Sequence, residues 1–256
     1  MAATVVVAFV AEQHRPLRRR TRPLGERLRT NTAMVILAAL TMRLALVPAA
    51  LAVATAGEQA GVGLLRAVNG PPVVAAGVGF VLLDWTLYVW HRLNHRWPLL
   101  WRFHLVHHTD LDLDVSTAFR FHFGELLLSI GWRSAQVLLF GIGPGLLLAW
   151  EATVQAATAF HHSNWRLPGR LERALSLVVV TPAMHGIHHS VAEAQTNSNW
   201  SVTFSWWDRL HGTLVRGVPN ETLVIGLPAY RDAGELGIPR LLALPFRRQR
   251  NAWIAP

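Results

Sequence analysis

Two stretches of the chain spell His-x-x-His-His: "HLVHH" at residues 104–108 and "HGIHH" at 185–189. Thirteen histidines in 256 residues, about one in twenty, would not be expected to produce this triplet twice. Two further groups accompany it, "HRLNH" (91–95) and "FHHSN" (160–164). His91 and His95 are four apart, and His104, His107 and His108 stand at i, i+3 and i+4. On an α-helix those spacings bring imidazoles to one face, with neighbours about 5–6 Å apart at Cβ. The same holds for His185, His188 and His189, provided that Gly186 does not interrupt the helix. Imidazoles crowded together repel when protonated and lose solvation when buried, whereas metal ions use their lone pairs and keep them neutral. Two metals at four or five ligands each would consume about this many. The pattern predicts a dinuclear, nearly all-histidine site, and the lone His14 reads as an ordinary surface residue.

Imidazole suits iron, zinc, copper and nickel alike, so ligand type does not choose among them. The chain has no cysteine, which excludes disulfides, Cys-ligated zinc and iron–sulfur clusters. A zinc pair would fit hydrolysis, but the His-Glu-x-x-His motif is missing. Haem would use single histidines on facing helices, against which the triplets argue. Iron activates dioxygen, and oxidation of an unactivated lipid C–H bond suits a water-excluding site at a membrane face. The competing reading is a non-redox protein, either a zinc-loaded membrane hydrolase or a histidine-rich metal-binding protein.

The elements that must position these histidines are apolar. Half the residues, 52%, are hydrophobic, and mean hydropathy is positive. Residues 31–56 and 73–90 are each long enough to span an apolar layer of roughly 30 Å, the second running directly into His91. Arg43 in the first is costly facing lipid and is expected to face other helices or to snorkel. Two more apolar stretches, 123–141 and 145–160, are separated by "GIGPG", which reads as a helical hairpin. Glu125, Arg133 and Glu151 interrupt it, leaving open a hairpin that enters the bilayer only partly. Trp85, Trp90, Trp97, Trp101, Trp150 and Trp165 lie near the ends of these stretches, as an interfacial belt or a buried aromatic core would have them.

The net charge of +9 is concentrated in residues 14–29, "HRPLRRRTRPLGERLR". Beside apolar segments such a run reads as the cytoplasmic flank of a membrane helix in preference to a nucleic-acid site. Residues 1–30 are therefore taken as a basic N-terminal tail and 31–256 as one membrane domain. Four passes put both termini and all histidine motifs on the cytoplasmic side. The expected fold is all-α: about four transmembrane or hairpin helices with a cytosolic, histidine-rich helical cap.

Residues 80–215 resemble the fatty acid hydroxylase/sterol desaturase superfamily of membrane di-iron enzymes. The resemblance rests on "HRLNH" (91–95), "WRFHLVHH" (101–108), "FRFH" followed by Glu125, "HHSNWRLP" (161–168), "TPAMHGIHHS" (181–190) and "TNSNWSVTFSWWDRLHGT" (196–213), in that order. It implies two iron ions with dioxygen as co-substrate, hydroxylation or desaturation of a lipid, and an external donor of the ferredoxin or cytochrome type with its reductase. The implied ligands are His91, His95, His104, His107, His108, His162, His185, His188 and His189, with His161 a competitor of His162. His122 and Glu125 match a recurrent family element. Asp208 matches the Trp-Asp-Arg tail, where a carboxylate either orients an imidazole or pairs with an arginine. The chain departs from the family pattern at Phe123-Gly124, where a proline is common, and at His211, where an aromatic residue is usual; His211 reads as a surface residue. With no dinucleotide fingerprint, cysteine cluster, flavin or haem module, electrons are expected from a separate protein docking on a basic face that includes residues 18–22 and 247–250.

Overall fold

The computed structural model describes residues 2–67 and 70–255. Among these residues the regular structure is helical, with three isolated β-bridges and no strand. Helix α1 (Ala2–His14) leads through an irregular segment to α2 (Leu24–Thr41), which passes through a π-helical turn (Met42–Leu46) into α3 (Val47–Gln59). Pro48 gives a local reason for that turn, because it lacks an N–H and its ring crowds the carbonyl of Leu44. The short α4 (Leu64–Ala67) precedes α5 (Pro72–Arg96).

The break after α5 is written in the sequence. Pro98 disfavours helical dihedrals at the residue before it, and Trp97 is extended at ψ 118°; Pro98 then opens α6 (Pro98–His108), where a missing N–H costs nothing. The bend folds α6 back on α5. Residues 109–122 are irregular and lead to α7 (Phe123–Phe140), which ends on Gly141 in the left-handed region at φ 74°. Pro144 opens α8 (Pro144–His162). The chain closes with short helices α9 (Gly169–Leu175), α10 (Pro182–His188), α11 (Glu193–Thr196), α12 (Trp206–Leu210) and α13 (Ile238–Ala243).

All four apolar stretches are thus helical. Two helical stretches, Leu24–Ala67 and Pro72–Arg96, are long and apolar enough to cross a membrane by length and composition. Their shared core joins Ala50 and Ala54 of α3, Leu83 and Leu87 of α5, Val137 and Phe140 of α7, and Leu147 and Trp150 of α8. Trp150 is therefore core, whereas Trp97 is exposed. Outward apolar side chains, among them Leu44, Val73 and Leu139, stay uncovered on the same helices. Arg43, expected to turn toward other helices or to snorkel, is exposed on the π turn.

The stretch read as a basic tail is folded onto the rest. Helix α1 packs Ala8 against Ala159 of α8 and Val115, and buried Glu12 accepts from the backbone N–H groups of Val115 and Asn164 at 3.1 and 2.9 Å. Arg18 is buried, with Nη1 donating to Asn220 at 2.6 Å. Within "DLDLD" (110–114) the side chains alternate between packing and pairing. Leu111 and Leu113 are buried, and the three aspartates face the N-terminal segment. Arg27 donates Nε and Nη2 to the two oxygens of Asp110 at 3.1 and 3.0 Å and Nη1 to Asp114. Asp112 accepts from the backbone of Thr21 and Arg22 at 2.8 and 2.9 Å. Asp110 also accepts from Asn31 and Thr117 at 2.9 and 2.8 Å.

Removing one member of such a buried pair leaves uncompensated charge and costs about 3–5 kcal/mol. Arg27→Met is expected to lower the melting temperature of detergent-purified protein sharply, while Arg19→Met, at an exposed position, leaves it near the parent value. Equal melting temperatures for the two variants would contradict this role of Arg27.

Candidate metal centre

The histidines come from four segments whose ends meet. His91 and His95 sit in the last two turns of α5, and His104, His107 and His108 on α6, folded back by the Trp97-Pro98 bend. His162 ends α8. Thr181 accepts from the backbone N–H of Met184 and starts α10, which carries His185 and His188 and reaches His189 at its C-terminal boundary. Helix α10 runs through Gly186. A Cβ there would lie 2.3 Å from Arg18 Nη1 and 2.6 Å from Asn220 Oδ1, so glycine is what lets the N-terminal segment press on this helix.

Two groups result. His91, His95, His104, His108 and His188 form one, and His107, His162, His185 and His189 the other, each with one ring nitrogen per residue within 4.8 Å of the rest. All are buried except His95, which is partly exposed. In the second group the Nε2 atoms of His162 and His107 are 3.0 Å apart, those of His185 and His162 3.1 Å, and those of His189 and His185 3.1 Å. Metal–imidazole bonds of about 2.1 Å place adjacent nitrogen ligands about 3.0–3.4 Å apart, so the spacing fits a coordinated ion.

Acceptors outside the groups set the tautomers. His91 Nδ1 meets the carbonyl of Trp200 at 2.8 Å, His188 Nδ1 that of Ser198 at 2.8 Å, and His162 Nδ1 that of Thr158 at 2.9 Å. His104 Nδ1 meets Glu125 Oε1 at 2.9 Å. With Nδ1–H donated outward, each Nε2 presents a lone pair inward, the arrangement that metal-bound imidazole adopts. Nε2 of His104, His108 and His188, both ring nitrogens of His95, and Nδ1 of His107 and His185 are buried without a hydrogen-bond partner. Orphaned nitrogens in this number are costly, and a metal in each group would take up one per ring, among them Nε2 of His104, His108 and His188 and one nitrogen of His95.

Protonation follows the same geometry. Burial first, and the surrounding imidazoles second, hold His107, His108, His185 and His189 well below the ordinary value near 6.5. Burial pushes His188 down to about 3. These rings are neutral at pH 7 in the folded chain. Because the unfolded chain binds protons more readily, folded-state stability is complete above about pH 6.5 and falls as the pH drops below it.

The neighbouring polar residues have separable tasks. His161 lies outside both groups, its Nδ1 on the carbonyl of Val202 at 3.0 Å and its ring 4.1 Å from that of His185. His122 caps α7, accepting from the Gly124 N–H at 3.0 Å. His211 is exposed, accepts from Trp85 Nε1 at 3.0 Å and stacks on Tyr88 at 4.8 Å. Asp208 departs from both expectations: among the described residues it hydrogen-bonds to no imidazole and forms no ion pair with an arginine. It accepts from the backbone N–H groups of Trp200 and Ser201 at 3.0 and 2.9 Å, and so holds the loop whose carbonyl receives His91. Arg120 donates to the Val106 carbonyl at 2.6 Å and secures the end of α6. The carbonyls of Trp200, Ser198 and Thr158 had no sequence signal, since any residue supplies one. The alternation in "DLDLD", one residue after a histidine triplet, is a sequence signal for a buried ionic support beside the site.

An apolar cavity of about 130 Å³ opens onto both groups. Met42, Leu46, Leu87, Leu126 and Val154 line its walls, and His91, His104, His107, His162 and His185 one end.

Fold and site together define an all-helical, histidine-box protein with two adjoining nitrogen-lined groups beside an apolar chamber. Residues 76–213 match the fatty acid hydroxylase family, and the chain belongs to it. It is 33% identical over 176 residues to the ornithine lipid hydroxylase OlsE of Rhizobium tropici, covering 67% of this chain and 50% of that protein. It is 27% identical over 158 residues to cholesterol 25-hydroxylase of Rattus norvegicus, covering 60% and 51%. With alkylglycerol monooxygenase of Xenopus tropicalis the identity is 28% over 137 residues, covering 53% and 29%. The chain spans about half or less of the length of these relatives. No solved structure matches it.

Glu125 offers a direct check on the tautomer argument. Glu125→Leu strands the Nδ1–H of His104 and is expected to weaken metal retention about 10–100-fold against a chelator, whereas Glu125→Gln, which keeps an acceptor, loses far less. Equal retention by both variants and the parent would contradict it.

Proposed function

We propose that this chain is an integral-membrane oxidoreductase that hydroxylates a lipid C–H bond with dioxygen at a pair of iron ions. The observation that carries the reading is the apolar chamber ending on both histidine groups, which can hold a hydrocarbon against two metals at once. The relatives support hydroxylation over desaturation, because each is named for adding oxygen to a lipid.

On this reading His91, His95, His104, His108 and His188 hold one ion and His107, His162, His185 and His189 the other. The irons, when bound, supply dioxygen activation and C–H oxidation. The protein supplies the rest. Backbone carbonyls and Glu125 fix four rings in the tautomer that donates Nε2, and burial keeps the imidazoles unprotonated. Leu46, Leu87, Leu126 and Val154 exclude water from the reacting carbon and pack along the chain that bears it.

Electrons must enter from outside. His95 is the partly exposed member of the nine, its ring 6.4 Å from that of Trp200, over which Arg92 and Arg96 lie at 5.3 and 5.5 Å. That edge is a positive docking point for an acidic ferredoxin or cytochrome served by its reductase. Part of the basic segment expected there, Arg18 above all, is occupied inside the fold. On this reading the histidine-bearing segments and both termini lie on the cytoplasmic side, which the basic run beside the apolar helices supports.

The test is product formation in membranes or nanodiscs with reductase, donor and isotopically labelled dioxygen. The expected product is a lipid carrying one oxygen derived from the gas, with no turnover when the donor is omitted. Oxygen incorporated from water, with zinc in the protein, would instead establish the hydrolytic alternative.

A further inference from the structure

The chamber has a second end that the chemistry at the histidines does not use. Arg133 of α7 and Glu151 of α8 line it, both buried, with Nε and Oε1 2.8 Å apart. The pair sits in helices otherwise apolar, and the Arg133 guanidinium lies 4.1 Å over the Trp150 ring. A hydrogen bond runs from Arg133 Nη1 to Gln136 Oε1 at 2.7 Å. The pair is under-satisfied, since neither Nε nor Oε1 has a well-directed hydrogen bond. Among the described residues no protein acceptor is in hydrogen-bonding geometry to Arg133 Nη2. Desolvating an ion pair costs several kcal/mol per ion, so a pair kept at the wall of an apolar cavity, with donors unspent, is a binding feature as much as a brace.

Its position along the helices sets a length. From Glu151 to His162 is eleven residues of α8, and from Glu125, on His104, to Arg133 is eight residues of α7. At 1.5 Å per residue these are about 16 and 12 Å, the reach of roughly ten to thirteen extended carbon–carbon bonds.

We propose that Arg133 and Glu151 recognise an uncharged polar oxygen of the substrate, a hydroxyl or carbonyl, and so select lipids bearing that group about 12–16 Å from the carbon oxidised at the metal end. This rests on the chamber being the substrate site, as in the hydroxylase reading. Arg133 donates to the oxygen and Glu151 accepts where it is a hydroxyl. Asn94, Ser129, Gln155 and Thr158 also line the wall, but they are uncharged and Ser129 is spent on the Glu125 carbonyl, so the ion pair is the strongest polar contact setting the register of the chain. They are positioning residues, remote from the reacting atoms.

The test is competitive binding to metal-loaded protein in detergent, with no donor and no dioxygen. Equal amounts of hexadecanol and hexadecane, and separately of cholesterol and cholestane, compete for the protein, and retained lipid is measured by mass spectrometry relative to the micelles. The parent protein is expected to retain the hydroxylated member of at least one pair in tenfold or greater excess. In Arg133→Leu/Glu151→Leu the ratio falls to near one with metal content unchanged. If that variant does not fold, Arg133→Lys, which keeps the charge but has no Nη2, must lower the ratio. A parent protein without preference in either pair, or a preference that survives these substitutions, overturns the proposal. Because binding is read without turnover, a preserved preference in a protein that never hydroxylates would count against the hydroxylase reading alone.

Discussion

Nine imidazoles in two adjoining groups, eight of them buried, are the constraint on which the rest of this structure depends. Protonated, they would repel across distances of a few ångströms in a medium that screens poorly. Neutral and without a metal, they leave at least seven ring nitrogens without a hydrogen-bond partner. Either state is costly, and cations remove the repulsion and take up one nitrogen per ring, among them Nε2 of His104, His108 and His188 and one nitrogen of His95. The fold therefore has to deliver each ring in one tautomer from several chain segments. It does so with acceptors that are mostly main-chain carbonyls, because a carbonyl in a rigid loop has one position and no charge to desolvate.

Holding those loops rigid is the task of residues far from the site in sequence. Asp208 ties down the backbone at Trp200 and Ser201, and through it the acceptor of His91. The segment that follows the α6 histidines is fixed from the other side by Arg27, Asn31 and Glu12. Arg18 presses on α10 at Gly186, and Arg120 closes the end of α6. The N-terminal segment through Asn31 thus works as a clamp on the histidine-bearing segments. Burial accounts for their ionic chemistry: in the open, pairs such as Arg27 with Asp110 would contribute little, and enclosed they make the geometry all-or-none.

Much of this was legible in the residues. Spacings of three and four on helices, repeated at His104–His108 and His185–His189, locate the histidine faces because helical periodicity is local. Pro98, Gly141 and Pro144 mark helix boundaries for the same reason. The partition into two groups was not legible: His107 leaves its helical neighbours His104 and His108 to join His162, and only the docking of α8 and α10 decides that. The basic run at 14–29 misled in another way. Charge composition reports how many arginines there are but not which will meet a carboxylate, and the aspartates that enclose Arg27 lie more than eighty residues away. Arg133 and Glu151 read in sequence as flaws in an apolar hairpin; in the fold they face each other across the chamber wall.

The central claim is that these nine imidazoles form two separate metal sites. Anomalous difference maps recorded at the iron edge from crystals of anaerobically prepared protein test it most directly. Two peaks per chain are expected, one enclosed by His91, His95, His104, His108 and His188 and the other by His107, His162, His185 and His189. A single peak shared between the groups, or metal found only at His14, His122 or His211, would contradict the account.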